Sequence, residues 1–361
     1  MDWLNDSVKS TSCACIEQAE ARQAILTKPA GALGRLESLA INLAGLLHTQ
    51  VPTIDRVLVS VFAADHGIAA EGVSAYPQAV TAQMIANFLA GGAAISVASR
   101  AIGAHLEVVN LGTVAEVPEM TIADTDSNRY VESVIASGTR PFHNQSAMTH
   151  EQLIEAFDAG KAAADRASEI SANLFIGGEM GIGNTTSASA LAAALLAIEP
   201  SDIVGRGTGV DNKGVEYKAT VIAQALTHHG LSDSPNMDQS SAIERLIALG
   251  GFEIAALVAA YIRCAQLGIP VLVDGFICSV AALYAAAIQP QSRRWMLFSH
   301  RSAEQGHTKV LQALTADPLL DLSMRLGEAS GAAVAVPLLR IACDLHNQMA
   351  TFEQANVDTS S

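Results

Sequence analysis

Five short runs rich in β-branched and apolar residues break off abruptly at small or polar residues, and alanine-rich stretches with helical spacing fill the intervals between them. Residues 56–64 (RVLVSVFAA) run into Asp65-His66-Gly67, 105–110 into Leu111-Gly112-Thr113, and 172–176 into Gly177-Gly178-Glu179. Residues 269–273 end at Asp274-Gly275, and 295–298 at Ser299-His300. Apolar residues recur at helical spacing in 82–100, 187–198, 217–228 and 253–267. Strand followed by helix, repeated, predicts an α/β fold with a parallel sheet covered on both faces. In such open sheets the ligand crevice lies outside the carboxyl ends of the strands. The polar clusters are therefore expected to converge on one edge.

Residues 1–51 and 308–350 lack the strand pattern and read as helical, which predicts a small helical domain built from the two ends beside a large α/β domain over 52–307. The last stretch, 351–361, is expected to be a flexible tail, and the polar stretch 232–239 a surface loop. The chain has 361 residues, 50% hydrophobic and only 4% aromatic, which suits alanine-rich helices packed closely on a sheet. Its 36 acidic against 21 basic side chains give a net charge of −15, and both a nucleic-acid groove and an anionic membrane surface would want concentrated Lys and Arg. Neither partner is expected. The N-terminus lacks a basic segment followed by an apolar run, and 275–288 is shorter than the ~20 residues a membrane span needs. Five cysteines at scattered positions fit no disulfide framework and suit a reducing cytoplasm. Cys13 and Cys15 have no histidine nearby at a zinc-ligand spacing, so no metal site is expected.

Several stretches carry chemistry. In 177–186 (GGEMGIGNTT), glycines let backbone N–H groups approach an anion, and the start of a helix adds partial positive charge, so Gly181, Gly183, Asn184 and Thr185 suit a phosphate. The spacing imitates a nucleotide-triphosphate loop but places Asn184 where the lysine belongs, and Thr186 stands where a dinucleotide fingerprint needs its third glycine. One phosphate fits better than either; the alternative is a strand-to-helix turn that needs glycine only for packing. The stretch 205–213 adds flexible backbone at Gly207 and a cation at Lys213, which either neutralises the same phosphate or is solvated on its helix. Glu328 stands among small residues in 325–333 (RLGEASGAA). Burial there would disfavour its ionised form and make it a better proton acceptor near neutrality, although a helix-start acid is an equal reading. Tyr76 and Met84 could form a slot for a flat ring or pack in the core. His66 reads as a structural histidine, and Asp274 as either an orienting group or a helix cap. The stretch 299–307 (SHRSAEQGH) offers hydroxyls and a carboxylate, but the chain has no G-x-S-x-G elbow for a serine hydrolase.

Taken in order, the stretches KPAGALGRLE, ADHG, GVSAYPQAVT, GEMGIGNTT, GGFEIAAL, VLVDGF, SHRSAE and RLGEASGAA resemble the nicotinate-nucleotide:5,6-dimethylbenzimidazole phosphoribosyltransferases of cobalamin assembly, over nearly the whole chain. Ala32 stands where the family usually has serine, which removes one possible hydroxyl contact.

The resemblance implies a Rossmann-like parallel sheet flanked by helices, a small helical domain from the two termini, and a homodimer. It implies transfer of the 5-phosphoribosyl group from nicotinate mononucleotide to 5,6-dimethylbenzimidazole, with inversion at C1′, giving nicotinate and α-ribazole 5′-phosphate. Glu328 matches the family's general base. Glu179, Gly181 and Lys213 match donor contacts, Asp274 and Ser302 match further site positions, and Tyr76, Met84, Met180 and Leu326 fall where the base is enclosed. No cofactor and no metal are expected. The paired acids followed by T-G-G-T of diphosphate-sugar transferases are absent: Val273-Asp274-Gly275-Phe276 has a single acid. A nucleosidase using water in place of the base, a transferase acting on another aromatic base, and a noncatalytic nucleotide carrier are the alternatives.

Overall fold

The computed structural model describes residues 1–207, 209–232 and 238–358. Its strands are β1 (Val57–Ala64), β2 (His105–Gly112), β3 (Asn128–Glu132), β4 (Leu174–Met180), β5 (Val271–Val273) and β6 (Met296–Phe298). The helices are α1 (Cys13–Ile25), α2 (Arg35–Leu46), α3 (Ala79–Leu89), α4 (Ala94–Ile102), α5 (His150–Glu169), α6 (Asn184–Leu196) and α7 (Asn212–His228). They continue with α8 (Gln239–Leu249), α9 (Phe252–Leu267), α10 (Phe276–Ile288), α11 (His307–Ala313), α12 (Ser330–Gln348) and α13 (Phe352–Ala355).

All neighbouring strands pair in parallel, in the order β3-β2-β1-β4-β5-β6. The chain builds outward from β1 in one direction, then returns to lay β4 on the other side of it, so the strand order reverses between β1 and β4. A crevice opens at that point, because the connections leave the carboxyl ends of the two strands in opposite directions. β1 is buried along its whole length, and its alternating residues feed two cores. Leu58 and Phe62 pack toward α5, α6, α9 and α10, while Val57, Val59 and Val61 pack toward α2, α3, α4 and α12.

Two expectations change in detail. The single helix over 82–100 is two helices, α3 and α4, separated at 90–93 where Gly91 takes φ +82°. The apolar run Ala79–Ile102 is thereby divided into pieces each shorter than the ~20 residues a membrane span needs. The edge strand β3 was not legible, because NRYVE has only two apolar side chains and pairs on one side alone.

The two ends of the chain do meet. Arg22 donates to the carbonyls of His346, Asn347 and Met349, Gln23 bonds His346 Nδ1 at 3.0 Å, and Leu26 bridges Thr351. Their helices are not walled off from the sheet: Leu39 and Leu43 of α2 and Val336 and Leu339 of α12 share the core of its second face. α11 packs instead with the first-face core through Val310 and Leu311. The stretch expected to be a tail from residue 351 begins with a turn of helix, α13, closed by a Thr351–Gln354 capping box. Residues 359–361 of that tail, and 233–237 of the loop expected over 232–239, lie outside the described residues, and Gln239 already opens α8.

Small residues set how closely the layers approach. At Gly160 of α5 an added Cβ would overlap the carbonyl of Ala256 on α9, so the two helices touch backbone to backbone. Gly160→Ala is expected to lower stability by about 1–3 kcal/mol, measured as a drop in the denaturant midpoint without loss of cooperativity. An unchanged midpoint would show that this crossing is loosely packed.

Candidate active site

The carboxyl ends of β4, β5 and β6, together with α3 and the chain before it, open onto one cavity of about 570 Å³. Its walls carry Tyr76, Val80, Met84 and Asn87 from the approach to α3 and from α3 itself, residues 179–182 with Asn184 and Thr185 from β4 and α6, and Gly207. Opposite them stand Phe276, His300, Ser302, Glu304 and residues 325–328. Clusters that lie far apart along the sequence therefore meet at one edge.

Glu328 reaches this cavity on an unusual piece of backbone. Gly327, Glu328 and Ala329 adopt φ of +80°, +61° and +67°, a left-handed run that two non-glycine residues hold only under constraint from their surroundings. The constraint is visible on three sides. The preceding segment runs beside β6, where Leu319 and Leu320 donate to the carbonyls of Phe298 and Ser299. Gly178 of β4 lies directly beneath, and a Cβ there would come within 2.9 Å of Ala329 and of the Glu328 carbonyl carbon. On the far side Ala332 N–H, in the first turn of α12, donates to Asp274 Oδ1 at 2.8 Å.

The glycines of 177–183 serve mainly this close packing. Gly177 faces Leu257 and Tyr261, Gly181 faces the Ala64 carbonyl, and Gly183 takes φ +98° to turn the chain into α6. Much of the α6 entry is also already hydrogen-bonded. Ile182 N–H donates to Thr81 Oγ1, Asn184 N–H to the Gly181 carbonyl, and the Asn184 amide to Glu179. The packing alternative considered for these glycines accounts for Gly177, Gly178 and Gly183.

Lys213 and Lys218 of α7 sit in different surroundings, and neither lines the cavity itself. Lys213 lies exposed in the first turn of α7 and does not line the cavity. Lys218 is buried, with Nζ 3.1 Å from Thr185 Oγ1 and 3.4 Å from the Gly205 carbonyl. Burial pulls its pKa down to about 8 against the attraction of Glu304, so it stays largely protonated at neutral pH. A sequence signal existed: Lys218 is in helical register with Val221, Ile222 and Ala225, an ammonium on the apolar face of an amphipathic helix. Gly207 stands beside it, within reach of Thr185 and Lys218 for any Cβ placed there. Thr208, in the same stretch, lies outside the described residues.

Of the other expected residues, Glu179, Gly181, Asn184, Thr185, Gly207, Ser302 and Glu328 line the cavity, as do Tyr76, Met84, Met180 and Leu326. Gly183 and Asp274 do not line it: Gly183 is the turn behind the wall, and Asp274 sits fully buried beneath α12. Tyr76 and Leu326 are 55% and 57% exposed, apolar side chains left open at the rim for a flat ligand to cover. Sequence reasoning did not single out Lys218, Asn87, His300, Glu304 or Arg325.

The electrostatics are those of an acid-rich, desolvated site. Burial, then repulsion from Asp274, pushes Glu328 up to about 7, where a carboxylate can take a proton and release it again. Glu179 lies well above the usual carboxylate range because of burial and the nearby charges of Glu253, Asp274 and Glu328, which favours its neutral form. His307 is held neutral, its pKa pushed down to about 3 by burial. Its Nδ1 accepts from Ser302 N–H at 2.8 Å, which leaves Nε2–H to donate to Ser279 Oγ at 2.9 Å and fixes Ser302 in the wall. A cavity with an apolar rim, a base poised near neutrality and a deep cation can take an aromatic ring, deprotonate it and anchor an anion.

Comparison with known proteins agrees with this geometry. A family model described as phosphoribosyltransferase matches residues 8–357. A Pseudomonas putida protein named nicotinate-nucleotide–dimethylbenzimidazole phosphoribosyltransferase is 54% identical over 356 residues, covering 98% of this chain and 97% of that one. A Xanthomonas oryzae protein of the same name is 53% identical over 356 residues, covering 99% and 98%. The crystal structure of CobT from Thermus thermophilus superposes with a TM-score of 0.88 at 41% identity, covering 96% of this chain and all of that one. Full-length identity above one half, with a matching fold, is decisive: the chain belongs to the nicotinate-nucleotide–dimethylbenzimidazole phosphoribosyltransferase family.

Proposed function

We propose that this protein transfers the 5-phosphoribosyl group of nicotinate mononucleotide to 5,6-dimethylbenzimidazole, the reaction for which its relatives are named. The observation that carries the reading is one cavity holding Glu328 beside an open apolar rim, with the Lys218–Thr185 pair against its inner wall.

In the donor, the nicotinate ring is a pyridinium, so its nitrogen leaves neutral and needs no strong acid. Positive character moves onto C1′ of the ribose as that C–N bond breaks. One benzimidazole nitrogen attacks C1′ from the opposite face, forming the new C–N bond with inversion, and its other nitrogen loses a proton to Glu328. Such proton removal contributes ~10²–10⁴-fold. Holding donor and acceptor in line contributes up to ~7–11 kcal/mol, so positioning outweighs base catalysis. We assign the base to the space between Tyr76, Met84, Met180 and Leu326, all lining the cavity. The donor's phosphate is assigned to Lys218 and Thr185, beside Gly207 and Ser302, with Glu179, Gly181 and Asn184 along the ribose. In this reading Lys218 takes the part expected of Lys213, because only Lys218 is turned inward.

We place the protein in the cytoplasm, a compartment suited to its five free cysteines. Two copies pair as a homodimer, for which the neighbouring helices α4 and α12 offer exposed Val97, Val334 and Ile341. Light scattering at twice the mass of one chain is the expected result, and a single-chain mass would refute the pairing.

Incubating the pure protein with nicotinate mononucleotide and a panel of aromatic bases, then identifying products by mass, tests the reaction. The expected product is the base-linked ribotide, formed only when base is present; nicotinate released equally without base would make the protein a nucleosidase. Glu328→Gln is expected to lower kcat by ~10²–10⁴-fold with donor KM little changed. Because the base must be ionised, kcat/KM of the wild type should fall as pH drops through about 7. The stability consequence has the opposite direction. A folded-state pKa raised from 4.5 to about 7 means that the folded chain holds a proton the unfolded chain has lost, so this group costs stability increasingly as pH rises across that window. Above pH 7, Glu328→Gln should therefore be more stable than wild type, by roughly 3 kcal/mol in the same linkage. Lys218→Met should raise donor KM by ~10-fold or more, as expected for a lost charged hydrogen bond, while Lys213→Ala stays near wild type. The reverse ranking would move the phosphate to the first turn of α7.

A further inference from the structure

Asp274 ends β5, is fully buried, and does not touch the cavity. Its Oδ1 accepts Ala332 N–H at 2.8 Å, the backbone N–H groups of Gly275 and Gly331 are also directed at the carboxylate, and Oδ2 has no hydrogen-bond partner among the described residues. His300 lies close, with Nδ1 3.8 Å from Oδ1 and 3.1 Å from Ser299 Oγ. The imidazole fills the space beside Gly331, where any Cβ would collide with it. Asp274 is thus a carboxylate from one strand end bound to the first turn of a helix from elsewhere in the chain. A negative charge is favoured at that end of α12.

That helix begins at Ser330, immediately after the left-handed run from Gly327 to Ala329. A strained turn of this kind stays in place only while both its ends are fixed. One end is fixed by the hydrogen bonds of 319–320 to the β6 edge, and the other by the first turn of α12. Ser330 closes the turn on itself, its N–H and hydroxyl both donating to the Gly327 carbonyl.

We propose that Asp274 is the positioning residue for Glu328: it anchors the first turn of α12, and through it the strained turn that aims the base. The inference rests on the transferase reading above. It differs from the direct site contact that sequence resemblance implies, because the carboxylate is buried away from the cavity with Oδ1 held by backbone N–H. The titratable and charged groups around Glu328 are Asp274 at the end of β5, with Glu179, His300, Glu304 and Arg325 lining the same cavity, and Lys218 of α7 bonded to Thr185 of its wall. After burial itself, Asp274 is the cause that raises the pKa of Glu328.

The test uses the full chain, nicotinate mononucleotide and 5,6-dimethylbenzimidazole. Asp274→Asn can still accept from Ala332 N–H but carries no charge. Its kcat/KM profile should keep the wild-type shape with the acidic limb moved to lower pH by roughly one unit, as expected on losing a neighbouring like charge. The ionisation of the acceptor base is common to both enzymes and cancels in the comparison. Asp274→Ala also removes the anchor and should lose kcat by ~10-fold or more at every pH, with donor KM within about 2-fold of wild type. If Asp274→Ala does not fold, the profile of Asp274→Asn decides alone. An acidic limb at the wild-type pH in Asp274→Asn, or a raised donor KM with kcat unchanged in either variant, overturns the proposal. Wild-type turnover and the Glu328→Gln result stand apart from these outcomes, so failure here is distinguishable from failure of the transferase reading.

Discussion

Three carboxylates, Glu179, Asp274 and Glu328, are buried together at the carboxyl ends of adjacent parallel strands, and the rest of the site is arranged around the cost of keeping them there. Removing charge from water without compensation costs several kcal/mol per ion, so each acid must find donors, give up its charge or share a counter-ion. The chain uses the first two responses and a balance between them. Asp274 takes backbone N–H groups at the start of α12, Glu179 takes the Asn184 amide and is pushed toward its neutral form, and Glu328 is left poised to titrate near neutrality. A base of intermediate strength is the group that a proton-removing step wants, because it must accept and then release the same proton.

The fold makes this arrangement possible through small residues. Gly178 lets the 327–329 turn lie on β4, Gly331 makes room for His300, and the backbone contact at Gly160 draws α5 onto α9, which itself packs on the sheet. A second buried hub lies at the end of β1. Asp65 accepts from Thr81 Oγ1 at 2.6 Å and from Val114 N–H at 2.8 Å, and Thr81 in turn accepts from Ile182 N–H. The helix that carries Met84 and the loop that carries Gly181 are thereby joined to the same strand end, so these two parts of the cavity wall cannot move independently without breaking buried hydrogen bonds. His66, next in sequence, pairs with Glu253 at 2.6 Å beneath the same loop, the structural role its sequence context suggested.

Much of this was legible in the sequence because strand and helix periods differ and the chain alternates them cleanly. The five apolar runs became five of the six strands, and of the residues at their ends Glu179, Gly275 and His300 line the cavity, whereas Asp65, Asp274 and Ser299 are buried and do not line it. β3 escaped notice because an edge strand with one buried partner needs little apolar patterning. β4 runs on through Gly177, Gly178 and Glu179 rather than stopping at Ile176, since glycine in a strand marks close approach as often as it marks a turn. Lys213 stands out through its glycine-rich neighbourhood, whereas helical register places Lys218 on the buried face. The part of Asp274 was legible only as an orienting group or a helix cap: nothing in VLVDGF shows that its carboxylate meets a helix beginning at Ser330, far along the chain.

Chemistry and position come together at one distance, that between C1′ of a bound donor and the carboxylate of residue 328. A crystal structure of this protein with nicotinate mononucleotide bound measures it directly. The phosphate is predicted on Lys218 Nζ and Thr185 Oγ1, with C1′ turned toward the space between Glu328 and Met180. A donor seated with its phosphate elsewhere, or with its ribose directed away from Glu328, would contradict the account.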